Sequence, residues 1–164
     1  MKPMQTTHNG TVAIRPCPVQ FAIDEWPLMT VCAAGLVYGG IDTVPLGGLA
    51  ASIASLLSLV LLYRFICLRR IRYCIGPEQL VSEHGVFVRK VDYMELYRVV
   101  DFQEHQSLLQ QLVGLKTVRI FSMDRNTPSL DLIGIRCSHD IVSLIRERVE
   151  YNKRKKGIYE ITNN

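Results

Sequence analysis

From Leu46 to Ile66 the chain reads LGGLAASIASLLSLVLLYRFI, a run whose only charge is Arg64 near its end. A helix needs about 20 predominantly apolar residues to cross a bilayer, and this run has that length. Arg64 stands where a long side chain can snorkel toward head groups. A membrane-spanning helix is therefore expected here. Upstream, Pro27 to Ile41 (PLMTVCAAGLVYGGI) is also apolar but short for a full crossing, and Asp42 is the only charge between Pro27 and Tyr63. Trp26 and Tyr63 are spaced to share one interfacial aromatic belt. Asp42-Thr43-Val44-Pro45 reads as a tight turn, because Pro45 disfavours helix at Val44 and can open the next helix. The reading is a transmembrane helical hairpin over residues 27–68. A single span preceded by a re-entrant or interfacial segment fits the same residues.

Both apolar segments carry small residues at four-residue spacing, which lets helices approach closely in lipid. The first has Gly35 and Gly39; the second has Gly47, Ala51 and Ser55 on one stripe and Ala50, Ala54 and Ser58 on its neighbour. These residues are expected to pack the two helices on each other, or on a further copy or larger membrane complex. Charge sets the orientation. Arg64, Arg69, Arg70 and Arg72 follow the second span closely, and the positive-inside rule places such a cluster in the cytoplasm. A hairpin returns the amino-terminal tail, residues 1–26, to the same side. That tail is polar and broken by Pro3, Pro16 and Pro18, so no secretory signal peptide is expected.

Beyond Arg72 the periodicity changes. Ile71–Ile75 alternates and Gly76-Pro77 breaks it; Gln79–Ser82 resumes, His84-Gly85 turns, and Val86–Lys90 follows as a further strand. Arg98–His105, Lys116–Phe121 and Leu130–Ile135 read as later strands, with a short helix at Ser107–Val113 stopped by Gly114. Ser138 is placed to cap a final helix and Asp140 to suit its first turn; Ile141, Ile145 and Val149 form its apolar stripe. Residues 69–152 thus read as a small α+β barrel or sandwich, and 153–164 as a basic tail.

The stretch Leu96-Tyr97-Arg98-Val99-Val100-Asp101-Phe102 resembles the "I-x-R-I-x-D-V" strand of the bacterial pleckstrin-homology-like (PH-like) membrane proteins. Gln106-Ser107-Leu108-Leu109 and Leu112-Val113-Gly114-Leu115 are similar to that family's "Q-s-x-L…L-x-G-x-G" helix turn, without the second glycine, and Lys116–Ile120 matches the following strand. The resemblance implies a membrane hairpin followed by a seven-stranded, strongly bent antiparallel sheet closed at one end by the final helix, in a bacterial inner membrane. It implies no catalytic role, and it leaves Gly114 as a backbone stop and Gln106 as a local hydrogen-bonding side chain.

Chemistry sought in the residues is not found. Cys17, Cys32, Cys67, Cys74 and Cys137 form no C-x-x-C and no zinc-like spacing with His8, His84, His105 or His139, so free thiols are expected. No phosphate-binding loop, nucleophile elbow or H-E-x-x-H occurs. The expectation is a non-enzyme with no cofactor, no metal and no small-molecule substrate. Net charge is +4, with −1 in the first 63 residues and +5 in the rest, and no dense basic stripe with interleaved aromatics to suit nucleic acid. Arg64, Arg69, Arg70 and Arg72, with Lys153, Arg154, Lys155 and Lys156, instead suggest a juxtamembrane collar, each cation contributing about 1 kcal/mol near an anionic surface. The turn Gly76-Pro77-Glu78-Gln79 is acidic, which argues against specific inositide recognition. The function expected is a multi-pass inner-membrane protein whose cytoplasmic domain binds a protein partner or a second copy; the alternative is a sensor or tether reading membrane charge.

Overall fold

The computed structural model describes residues 5–7, 10–41, 45–138 and 140–157. In chain order they form β1 (Gln5–Thr7), β2 (Thr11–Ile14), α1 (Val19–Gly39), α2 (Gly47–Arg70), β3 (Arg72–Ile75), β4 (Gln79–His84), β5 (Lys90–Glu95), a 3-10 turn at Leu96–Arg98, β6 (Val99–His105), α3 (Leu108–Val113), β7 (Leu115–Ser122), β8 (Ser129–Arg136) and α4 (Ile141–Lys155). The strands make two antiparallel sheets, β1-β2-β3-β4-β5 and β6-β7-β8. The expected single bent sheet or barrel is therefore corrected: the two sheets are separate and the fold is not a closed barrel.

The largest departure lies at the amino terminus. Residues 11–14, assigned by sequence to a polar tail, are a strand: Val12 pairs with Ile75 and Ile14 with Tyr73 across β3, and Val12 is buried. The helix pair is thus inserted between two neighbouring strands of one sheet. α1 also starts at Val19 rather than Pro27, which lies inside it. Val86–Val88, read as strand, form a turn instead, and the strand follows at Lys90–Glu95. Their apolar side chains misled the reading because they do not face the core: Phe87 and Val88 are among the most exposed hydrophobics described.

One core lies between the sheets and under α4. The α4 stripe Ile141, Ile145 and Val149 is buried in the same core as Val12, Ile75, Leu80 and Leu132. Its cap is Asp140 rather than Ser138: the Asp140 carboxylate accepts from the Ser143 N–H at 3.2 Å, which holds that carboxyl below its ordinary range. The carboxyl end runs through Lys155, so the first part of the expected basic tail is its last turn. Two polar residues of α4 bind backbone on the neighbouring turns. Arg148 donates to the Ile75 and Gly76 carbonyls at 2.8 Å and to that of Gly10 at 2.6 Å. Buried Asn152 donates to the Pro77 carbonyl at 2.7 Å. Gly114 ends α3 at φ +67, the backbone stop the sequence indicated.

Tyr73 joins the two sheets. It is 2% exposed on β3, and its hydroxyl oxygen accepts from the Ile133 N–H of β8 at 3.2 Å. Burial pushes the hydroxyl from its ordinary value of 10.0 up to about 12. The stabilisation from keeping the phenol neutral is complete below the ordinary value and is lost as pH rises through the raised one, amounting to about 3 kcal/mol. Urea midpoints of the full chain should therefore fall steeply between pH 10 and 12. Tyr73→Phe should flatten that fall while costing about 1–3 kcal/mol near neutrality, because the Ile133 N–H loses its acceptor.

Candidate membrane-facing site

α2 is the one helix among the described residues long and apolar enough to cross a membrane, and only 6% of its most apolar window is buried. Leu49, Ile53, Leu56, Leu59 and Leu62 all point outward. α1 does not meet the same test: Asp24, Glu25 and Pro27 occupy its early turns, which shortens its uncharged part. By length and composition the structure therefore supports one span where the sequence indicated two. α1 nevertheless packs antiparallel along α2. A Cβ built on Gly35 would lie 2.9 Å from the Ala54 Cβ, and one on Gly39 would lie 2.6 Å from the Ala51 Cβ, so the small residues set the distance between the helices. Gly47 and Ala51 face α1. Ser55 does not; it is exposed, and Ala54 is buried in its place. Helical geometry explains the exchange: position i+8 drifts by about 80° from i, whereas i+7 returns to within about 20°. Asp42, at the turn between the helices, lies outside the described residues.

Toward its base the pair is joined by polar and aromatic contacts. Arg64 binds Glu25 at 2.6 Å, and Phe21 meets Phe65 edge to face with ring centroids 5.2 Å apart. Tyr63 stacks on Phe87 of the β4–β5 turn at 6.0 Å. Between that turn and the helices an open cleft of about 440 Å³ is lined by Phe21, Glu25, Tyr63, Arg64, Leu68, Ile71 and His84.

The joint to the domain is a buried amide pair. Gln20, 3% exposed in the first turn of α1, accepts from Gln110 Nε2 at 2.9 Å and donates to Asp24 at 2.8 Å. Gln110 also donates to Thr117 Oγ1 at 3.1 Å, and its carbonyl accepts from the Ser107 N–H at 2.9 Å, completing a capping box for α3. Gln20 lies against Gly134, where an added Cβ would sit 2.9 Å from its own Cβ. Gln106 plays the local role read for it, donating to the Leu115 carbonyl at 2.7 Å. Sequence reasoning passed over Gln20 because one polar residue ahead of an apolar segment carries no pattern.

The eight cations of the expected collar fall in two places. Arg69 and Arg70 are exposed in the last turn of α2, where the helix dipole favours them, and Arg72 opens β3 opposite Glu83. Arg64 lies higher, bound to Glu25. Lys155 binds Glu78 at 2.7 Å in the β3–β4 turn, at the other end of β3 from Arg72, and holds that carboxyl below its ordinary range. Lys156 sits over the Tyr97 ring at 3.7 Å, and Arg154 pairs with Glu150 at 3.8 Å. Lys153 belongs to the same last turn of α4. The helix exit gains cations the sequence reading did not single out: Arg15, next to the β2 residue that pairs with Tyr73, and Arg89 and Lys90 at the β4–β5 turn. Among the described residues no group of three or more His, Cys, Asp or Glu could hold a metal ion.

The chain belongs to the Bacterial PH domain family, whose model matches residues 28–149. The match opens inside α1, so β2 lies ahead of it. No curated protein and no solved structure matches the chain. PH-like domains are in general non-catalytic interaction modules, and membership supports a binding or interaction domain here.

Two glycines test how tightly the helix pair is seated. Gly134 and Gly114 both have left-handed backbones, at φ +64 and +67, but only Gly134 has a neighbour within reach of a Cβ. Gly114→Ala should cost about 1–2 kcal/mol from the backbone alone. Gly134→Ala should cost about 1–3 kcal/mol more, because Gln20 must move. Chemical unfolding in mild detergent measures the difference, and equal costs would mean that the joint is loose.

Proposed function

We propose that the chain is a two-pass inner-membrane protein whose PH-like domain lies in the cytoplasm and binds a protein partner or a second copy of itself. The observation that carries the topology is the pairing of β2 with β3. One strand precedes the helix pair and the other follows it, so both ends of the pair lie on the same side of any bilayer it enters. If α2 crosses, α1 crosses back. Arg69, Arg70 and Arg72 at the exit support the reading that this side is the cytoplasm. The short uncharged part of α1 is accommodated by local thinning or tilt.

The interaction role is supported by family membership together with the apolar outer face of the helix pair, on which Val31, Val37, Ile53 and Leu56 are all more than half exposed. Topology is tested with single cysteines in a cysteine-free background. Gly10→Cys and the native Cys137 should both react with a membrane-impermeant maleimide only after the cytoplasmic face is opened, and Leu46→Cys from the outside. Opposite sidedness for positions 10 and 137 would defeat the two-pass reading. Crosslinking in cells followed by gentle solubilisation then tests the partner: a stoichiometric set of membrane proteins, or a defined homo-oligomer, is the expected outcome.

A second reading is favoured by one observation. Among the described residues Arg69, Arg70 and Arg72 make no ion pair, although all three are exposed. They are free to meet anionic head groups, each contributing about 1 kcal/mol. A water-soluble version joining residues 10–16 to 68–157 through a short linker retains β2 and these arginines. It should bind vesicles containing phosphatidylglycerol and lose that binding when all three become Gln. Unchanged binding would sink the charge-reading role.

A further inference from the structure

Among the described residues, Phe87 and Val88 are 87% and 80% exposed, at the tip of the turn between β4 and β5. A large apolar pair at the end of a short turn needs an explanation, because a water-facing turn is ordinarily polar. The polar groups beside it are already engaged with the strands beneath. Arg89 binds Glu83 at 2.8 Å, Lys90 approaches Asp92 at 3.6 Å, and His84 approaches the same carboxylate at 3.7 Å. What the tip offers to its surroundings is hydrocarbon.

The position of the tip says what those surroundings are. The Phe87 ring stacks on Tyr63 at 6.0 Å with the planes 18° apart. Tyr63 lies seven residues before the end of α2 at Arg70, about 10 Å along the axis. The turn therefore climbs beside the helix, past its charged exit. It arrives level with Arg64, whose partner Glu25 precedes Trp26. Trp26 is 55% exposed and Tyr63 46%, so three exposed aromatics share one level around the helix pair. From Gly47 to Tyr63 α2 carries no charge, a length of about 25 Å against a hydrocarbon core of about 30 Å. The ring of aromatics coincides with the end of that apolar length, where interfacial Trp and Tyr belong.

We infer that the β4–β5 turn is a membrane anchor: Phe87 and Val88 enter the boundary between head groups and acyl chains of the leaflet that α2 leaves, with Arg89 and Lys90 among the head groups. The inference rests on the reading that α2 crosses the bilayer. The domain is then held to the membrane surface at two places, the helix pair and this turn, and its orientation relative to the bilayer is fixed.

The test uses the full chain reconstituted into phosphatidylethanolamine–phosphatidylglycerol vesicles. Trp26 is the sole tryptophan, so Trp26→Phe gives a dark background into which Phe87→Trp or Leu56→Trp is introduced. Leu56 lies in the middle of α2 with its side chain outward. Phe87→Trp should show blue-shifted emission and lose most of its intensity to lipids brominated near the head group. Leu56→Trp should be quenched best by lipids brominated deep in the chain. Deep quenching at 56 with water-like, unquenched emission at 87 would overturn the anchor and leave the spanning helix standing. No quenching at either position would overturn both. Blue-shifted emission at 87 that brominated lipids do not quench would mean that protein covers the tip, and would also overturn the anchor.

Discussion

The pairing of β2 with β3 governs the rest of this molecule. Neighbouring strands sit about 4.8 Å apart, whereas packed helices stand about 8–10 Å apart. A helix pair that starts from one such strand and returns to the next is therefore pinched at its base. The chain meets this with short, stiff connections: Arg15–Pro18 into α1, with prolines at 16 and 18, and Ile71 alone out of α2. Gly35 and Gly39 then allow the helices to stay close further along. Arg148 consolidates the other end of the sheet by binding the carbonyls of Gly10, Ile75 and Gly76 from α4, so β2 and β3 are tied together at the end away from the helices.

Polar contacts fix the relation between helices and domain as firmly as apolar ones. Gln20 and Gln110 exchange a hydrogen bond away from solvent, and each spends its remaining capacity on Asp24 or on Thr117 and Ser107. A buried amide is expensive when unpaired, so this arrangement selects one rotation of α1 about its axis. The same logic places Asn152 and Arg148, whose donors go to turn carbonyls that the sheets leave over.

Much of this was legible in the sequence, because local patterns wrote it. The apolar run of α2 is decided within about twenty residues, and the alternating strands β3, β7 and β8, the Gly114 stop and the Ile141-Ile145-Val149 stripe each within about a dozen. β2 was not legible: four residues, Thr11-Val12-Ala13-Ile14, close to Pro16 and Pro18, acquire meaning only when paired with a strand about 60 residues later. Val86–Val88 misled for the opposite reason, since their β-forming composition serves exposure rather than pairing. The cation-rich ends were visible as composition, but their separation by the length of β3 was not, because it depends on the turn at Glu78 returning the chain. Gly47 and Ala51 lie toward α1 and Ser55 on the outer face of the pair, because four-residue steps outrun the helical repeat.

The divided sheet also imposes an order on biogenesis. β1 and β2 leave the ribosome first, and the edge of β2 that will meet β3 must wait, unpaired, through the synthesis of α1 and α2; at about 5–20 residues per second that is several seconds. Only when β3 emerges beside it can the sheet close and Val12 reach its buried site. A chain whose helices failed to fold back on each other would leave β2 and β3 apart, and β3 would present an unprotected edge. Completion of the sheet thus reports on the helix pair, because a chain whose two helices have not packed together exposes an open, apolar strand edge.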